Sequence, residues 1–307
     1  MTSSSDRLTY LKLALVAMIW GATFVAGRYL AGDVDPLLAA SLRFVLASVA
    51  LLGFMALVGI RLVRPNARQL AQLAMLGFFG IYCYNLCFFY GLQYINASRA
   101  SLIVALNPAV IGVASWLWFK ERLGPGKWLG IALCLGGAGA VIVSRNPQLL
   151  QAAAQAWIGD VLIAGCVAGW GAYSLLSRGL NRVLGALQTV TWSILLGTVM
   201  LVITTALTGR MTFAAVQAVQ LPQWLSLLYL GVLGSALAYI LWYDGIQRIG
   251  ATRAGVFIAL NPLTAVICGA MLLGEQLTPP MLAGGAVILL GIYLCNKPLA
   301  QPKALGI

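Results

Sequence analysis

The chain has 307 residues, of which 61% are hydrophobic and only 8% charged, and its formal net charge is +12. No water-soluble fold of this size hides that much apolar side chain, so lipid must be part of the solvent. The basic excess is gathered at the ends of apolar stretches, which excludes nucleic-acid binding as its explanation.

A membrane-spanning helix needs about 20 apolar residues. Ten stretches meet that need, near 8–29, 36–58, 70–91, 98–119, 127–144, 157–177, 184–208, 222–246, 252–273 and 279–296. The connections near 59–69, 145–156 and 209–221 are the longest, and leave no room for a soluble domain. The first stretch is too long for a signal-peptide core and lacks a convincing cleavage site, so it reads as a retained span. Span one carries Trp20 and Phe24 and no internal carboxylate. Span two carries Arg43, with three destinations open: a substrate carboxylate, the outer interface, or a pair with Asp33 or Asp35. In span three, Tyr82, Asn85 and Phe89 fall at i, i+3 and i+7, on one helical face.

Arg99-Ala100 opens span four, and Asn107-Pro108 interrupts it. Proline removes a helix hydrogen bond and frees the carbonyl near Val104, which an asparagine side chain can satisfy. Span six holds Trp170 and Tyr173, and span eight Tyr239 and Tyr243 with Trp242 beside them. Arg253-Ala254 and Asn261-Pro262 repeat the span-four pattern in span nine, freeing the carbonyl near Ile258. A cation at a helix N-terminus gains nothing from the dipole, so Arg99 and Arg253 need a helix carbonyl, a lipid phosphate or a carboxylate. They either snorkel to headgroups or form gates; Pro108 and Pro262 act either as packing kinks or as bending points. Gly136-Gly137 and Gly284-Gly285 lie in spans five and ten and read as close-packing surfaces.

Two segments are nearly copies. Residues 91–108 read GLQYINASRASLIVALNP and residues 245–262 read GIQRIGATRAGVFIALNP, with ten of 18 positions identical at an offset of 154. Trp20-Gly21-Ala22 with Arg28 recurs as Trp170-Gly171-Ala172 with Arg178 at an offset of 150, and Gly77, Gly80 and Glu121 recur as Gly231, Gly234 and Glu275. The division falls into a five-span half over 1–150 and another over 151–307. An odd number of crossings leaves the second half inverted with respect to the first. With the N-terminus on one side, the opposite side receives only Arg28, Arg43, Arg99, Arg145 and Arg210 among the 19 basic residues. Both termini are therefore expected in the cytoplasm.

These features resemble the drug/metabolite transporter superfamily, in its EamA-type form with ten helices. The resemblance rests on the doubled five-span unit, Trp-Gly in spans one and six, and Arg-Ala…Asn-Pro in spans four and nine. It is most similar to the YddG-type exporters of aromatic amino acids. It implies an all-α integral membrane fold, with spans one, three, four, six, eight and nine around a central cavity and five and ten peripheral. It also implies residence in a bacterial inner membrane.

The aromatic residues of spans one, three, six and eight favour flat or apolar cargo, and Asn85, Asn107 and Asn261 supply polar anchors. With no histidine and no paired interior carboxylates, neither enzyme chemistry nor a metal or other cofactor is expected. The six cysteines fall inside apolar spans and read as small apolar fillers. Asp160 and Asp244 are the best placed groups for proton coupling. The expected partners are a small neutral or zwitterionic metabolite, amino acids first, and membrane lipids, with a single chain sufficient. The alternative cargo is a lipophilic or quaternary-amine drug.

Overall fold

The computed structural model describes residues 4–28, 30, 33–95, 100, 103–120, 123–145, 155–264, 267 and 278–297. Secondary structure there is helical, with no strand among the described residues. The longer helices are α1 (Ser4–Arg28), α2 (Pro36–Leu57), α3 (Ala67–Tyr94), α4 (Asn107–Phe119), α5 (Pro125–Arg145), α6 (Ala156–Leu184), α7 (Ala186–Leu207) and α8 (Leu221–Ile249), then α9 (251–264) and α10 (Pro279–Asn296), with a short helix, Phe213–Gln217, between α7 and α8. Among the described residues, seven helices are long and apolar enough to cross a membrane: α2, α3, α5, α6, α7, α8 and α10.

Local chemistry sets the ends. Asp35 caps α2 by accepting from the amides of Leu37 and Leu38 at 3.0 and 3.2 Å, and Pro36 occupies the first turn, where its missing N–H costs nothing. Asn66 with Gln69 forms a capping box at the start of α3, and Gln220 with Gln223 forms one at the start of α8. Helices α2 and α7 both stop at a glycine in the left-handed region, Gly59 at φ 68° and Gly209 at φ 69°.

Four helices depart from regular α geometry. Helix α3 widens to a π-helical segment over Gly77–Cys83, and α8 does so over Tyr229–Leu237. The expected spans four and nine are not continuous α-helices. Helix α4 starts afresh at Asn107 after a turn at Ala105 and Leu106, with Pro108 in its first turn. Helix α9 opens as Ala251–Gly255, tightens to a 3₁₀ turn over Val256–Ala259, and resumes as α-helix across Pro262. The cause in both is the proline, which cannot donate to the carbonyl four residues back.

Helices meet through glycine and small polar residues. Helices α5 and α10 approach so closely that a Cβ on Gly137 would lie 2.7 Å from the Gly284 carbonyl oxygen, and one on Gly130 2.7 Å from that of Gly291. Apolar side chains gain little by leaving lipid for one another, so backbone approach and buried polar contacts hold the helices. Between α2 and α7, Ser48 meets Thr198 at 3.0 Å and Ser41 meets Thr205 at 2.7 Å.

These contacts recur with partners exchanged. Gly130 and Gly284 are 154 residues apart, as are Gly137 and Gly291, so each glycine pair maps onto the other. A Cβ on Gly77 would lie 2.7 Å from the Ser193 carbonyl oxygen, and one on Gly231 2.6 Å from that of Arg43. A Cβ on Gly91 would meet the Ile163 side chain at 2.8 Å, and one on Gly245 the Leu13 side chain at 2.6 Å.

Gly137→Ala should destabilise the detergent-purified protein by about 1–3 kcal/mol, because its new methyl strikes backbone. Gly136→Ala, with nothing within 4 Å of its Cβ position, should change stability by less than about 0.5 kcal/mol. Thermal unfolding of the two variants side by side checks this.

Candidate functional site

A cavity of about 60 Å³ opens among α1, α2, α3, α4, α6, α8 and α9. Trp20, Thr23, Arg43, Tyr84, Phe88, Phe89 and Asn107 line it from the first half, and Trp170, Leu230, Tyr239, Ile258 and Asn261 from the second. A space of that size holds a few waters.

The wall is a continuous aromatic assembly. The indoles of Trp20 and Trp170 meet edge to face at 5.2 Å and 88°, and Trp170 meets Tyr239 at 5.2 Å and 77°. Tyr84 tilts onto Trp170 at 5.9 Å and stacks on Phe88 at 6.0 Å. Edge-to-face geometry sets the positive rim of one ring on the negative face of the next, so each ring fixes its neighbour. Trp20 Nε1 donates to the Gly234 carbonyl at 3.0 Å, inside the π segment of α8. Helix α1 is thereby tied to a stretch whose backbone bonding is already irregular.

Polar groups enter at the helix breaks. Asn107 Nδ2 donates to the Val104 carbonyl at 2.9 Å, replacing the donor that Pro108 lacks. The same side chain leaves Oδ1 buried without a hydrogen-bond partner, and so does Asn261. Arg43 is 7% exposed, donating through Nε to Ser235 Oγ at 3.0 Å and through Nη1 to Asn85 Oδ1 at 3.4 Å.

The structure gathers six of the sequence candidates on the cavity: Trp20, Phe89, Asn107, Trp170, Tyr239 and Asn261. Tyr173 and Tyr243 stand behind that surface, edge to face at 4.9 Å, with the Tyr173 hydroxyl 2.5 Å from that of Ser193. Asn85 is buried against Arg43 and the Ile81 carbonyl. Tyr82 does not line the cavity; its hydroxyl meets Thr204 of α7 at 3.1 Å. The reason is the π segment ending at Cys83, which breaks the 3.6-residue phase that set Tyr82 in line with Asn85 and Phe89. Sequence reasoning missed Thr23, Tyr84 and Phe88; the i, i+4 pair Tyr84 and Phe88 was the available signal for the last two. Arg99 and the side chain of Phe24 lie outside the described residues.

The remaining charges go elsewhere. Arg253 Nη2 donates to the Asn296 carbonyl at 3.0 Å, so its partner is the negative end of α10. Asp35 pairs with Arg210 rather than Arg43, and Gln223 approaches Asp33 at 3.5 Å. Asp244 is held by Lys12 at 3.2 Å and Arg248 at 2.9 Å, a doubly paired carboxylate near the end of α8.

Replacing Asn107 by Leu should destabilise the protein by about 1–3 kcal/mol, since the Val104 carbonyl then lies buried without a donor. Thermal unfolding in detergent measures it.

Comparison with known proteins supplies the relatives. The YetK protein of Bacillus subtilis, an uncharacterized transporter, is 26% identical over 296 residues, covering 96% of this chain and 88% of its own. A probable terminal-alkyne amino-acid exporter of Streptantibioticus cattleyicolor is 28% identical over 289 residues, covering 93% of this chain and 92% of its own. A solved crystal structure superposes with a TM-score of 0.77 at 20% identity, over 94% of this chain and 97% of that one, which shows a shared fold. The profile of the EamA-like transporter family matches twice, at residues 7–143 and 157–297. With both halves matched in turn, the chain is a multi-pass membrane protein that belongs to the EamA-like transporter family.

Proposed function

We propose that the protein exports small neutral or zwitterionic metabolites, aromatic and other amino acids first, by alternating access through the aromatic cavity. In this reading residues 1–150 and 151–307 are inverted five-helix repeats, ten spans in all. Both termini lie in the cytoplasm of a bacterial cell, and the chain sits in the inner membrane. A single chain suffices, because its own helices enclose the cavity.

The observation that carries the substrate class is the cavity wall. Trp20, Trp170, Tyr84 and Tyr239 present ring faces and edges to a flat or apolar side chain. The free Oδ1 atoms of Asn107 and Asn261 are acceptors at the same cavity, suited to an ammonium group. The amino-acid exporter among the relatives supports the same class. The rival cargo, a lipophilic or quaternary cation, draws support from the aromatic faces. Against it, the cavity lining contains Arg43 and no carboxylate among the described residues.

Two observations support the inverted arrangement. The contact pairs that exchange partners across the 150–154 offset are what a two-fold operator produces. The π segments Gly77–Cys83 and Tyr229–Leu237 also overlap at that offset. Movement then falls to α4 and α9, where Pro108 and Pro262 interrupt the backbone, with Arg99 and Arg253 as gate residues at the starts of those spans.

Proteoliposomes loaded with labelled tryptophan, leucine or a lipophilic phosphonium cation decide the cargo. Tryptophan and leucine should move and the cation should not; flux of the cation alone overturns the amino-acid reading. Trp170→Ala should slow tryptophan flux by about tenfold or more, the effect of losing one large buried aromatic contact. Pro108→Ala and Pro262→Ala should each slow transport without unfolding the protein; unchanged rates in both remove the hinge role.

A further inference from the structure

Arg43 is placed unlike any other charge described. It lies eight residues beyond Asp35, about 12 Å along α2, too deep to be explained by snorkelling to the end of the helix. Its guanidinium is fixed by two neutral groups, Ser235 Oγ and Asn85 Oδ1, and rests 5.1 Å from the centroid of the Phe44 ring. These contacts orient the charge without cancelling it. No ion pair reaches it among the described residues, since Asp35 is committed to Arg210 and Asp244 to Lys12 and Arg248. It nevertheless lines the cavity together with Tyr84, Trp170 and Tyr239.

An ion without a counter-ion is costly inside a membrane protein. A fork of fixed N–H donors facing an aromatic-walled cavity is suited to a planar carboxylate, which it meets with two parallel bonds. A phosphate would call for a second cation, and no other Lys or Arg lines the cavity among the described residues. We propose that Arg43 is the carboxylate-binding, specificity-determining residue of this transporter. Cargo docks its carboxylate on the guanidinium, its side chain among Trp20, Trp170 and Tyr239, and its ammonium toward Asn107 and Asn261.

The ammonium and side-chain assignments rest on the amino-acid reading above; carboxylate recognition stands on Arg43 alone. The position 150 residues on is Ser193, whose hydroxyl is occupied by that of Tyr173. Only one half supplies the charge, so the cavity takes one carboxylate in one orientation.

Binding to the purified full-length protein tests this with three probes: tryptophan, tryptamine, which lacks the carboxylate, and indole-3-acetate, which lacks the ammonium. Wild type should bind tryptophan and indole-3-acetate. Arg43→Gln should weaken both by roughly 30-fold or more while leaving tryptamine unchanged or tighter. Arg43→Lys, which keeps the charge and loses the fork, should fall between. A purely structural role would instead weaken all three probes equally and lower the unfolding temperature, and would overturn the proposal. So would unchanged tryptophan binding in Arg43→Gln, or wild type that binds neither carboxylate probe. Arg43-dependent binding of indole-3-acetate without binding of tryptophan would keep the carboxylate site and reject the amino-acid cargo.

Discussion

Inside a bilayer there is no water to bond a backbone N–H or C=O, so every such group must find a partner in the protein or face a cavity. The region around the cavity follows from that constraint. Pro108 strands the Val104 carbonyl, and the neighbouring Asn107 amide takes it up. The π segment of α8 shifts its bonding register, and the Gly234 carbonyl is met by the indole of Trp20. Ser235 in the same segment donates to the Leu230 carbonyl at 2.9 Å and receives Arg43. At these two places the irregular backbone is answered by a side chain that also borders or supports the cavity.

The scaffold around the site is held by a different means. Helices α5 and α10 touch backbone to backbone at their glycines, as α2 does with α8 and α3 with α7. Small polar pairs such as Ser48 with Thr198 add directional contacts between α2 and α7. Such interfaces have little slack, since a single added methyl collides with main chain. They suit rigid frames, whereas α4 and α9 are interrupted and are the places proposed to bend.

Much of this was legible in the sequence, because the signals involved are local or periodic. Apolar length placed α2 at 36–58 and α7 at 184–208, against Pro36–Leu57 and Ala186–Leu207 observed. The doubled Asn-Pro marked both helix breaks, and the side-chain rescue of Val104 follows from proline chemistry alone. Trp20 and Trp170 stood out because they lie deeper than an interfacial belt requires, and they meet across the cavity. What failed depended on phase or on distant partners. Tyr82 was assigned to the cavity on a 3.6-residue period that the π segment does not keep, while Tyr84 and Phe88, in the regular helix beyond it, carried an i, i+4 signal that was passed over. The destination of Arg43 was undecidable among a substrate carboxylate, the outer interface, and Asp33 or Asp35, since Arg210, which claims Asp35, lies 175 residues from it in the chain.

The places where the two halves differ are as informative as those where they agree. Where a Cβ on Gly234 would meet the methyl of Thr23 at 3.0 Å, the matching Gly80 packs against the ring of Tyr173. Trp20 bonds the Gly234 carbonyl, while no bond from Trp170 to Gly80 is found among the described residues. Arg43 has Ser193 as its counterpart, and Ser235 has Ile81. If the halves exchange roles in transport as proposed, contacts present in both sets persist through the cycle. Those made on one side only must be remade or lost. The Trp20 to Gly234 bond is of the second kind, and it joins α1 to the irregular turn of α8 beside the cavity. In that reading the cycle must break it, and the indole of Trp20, which lines the cavity, is then released from α8.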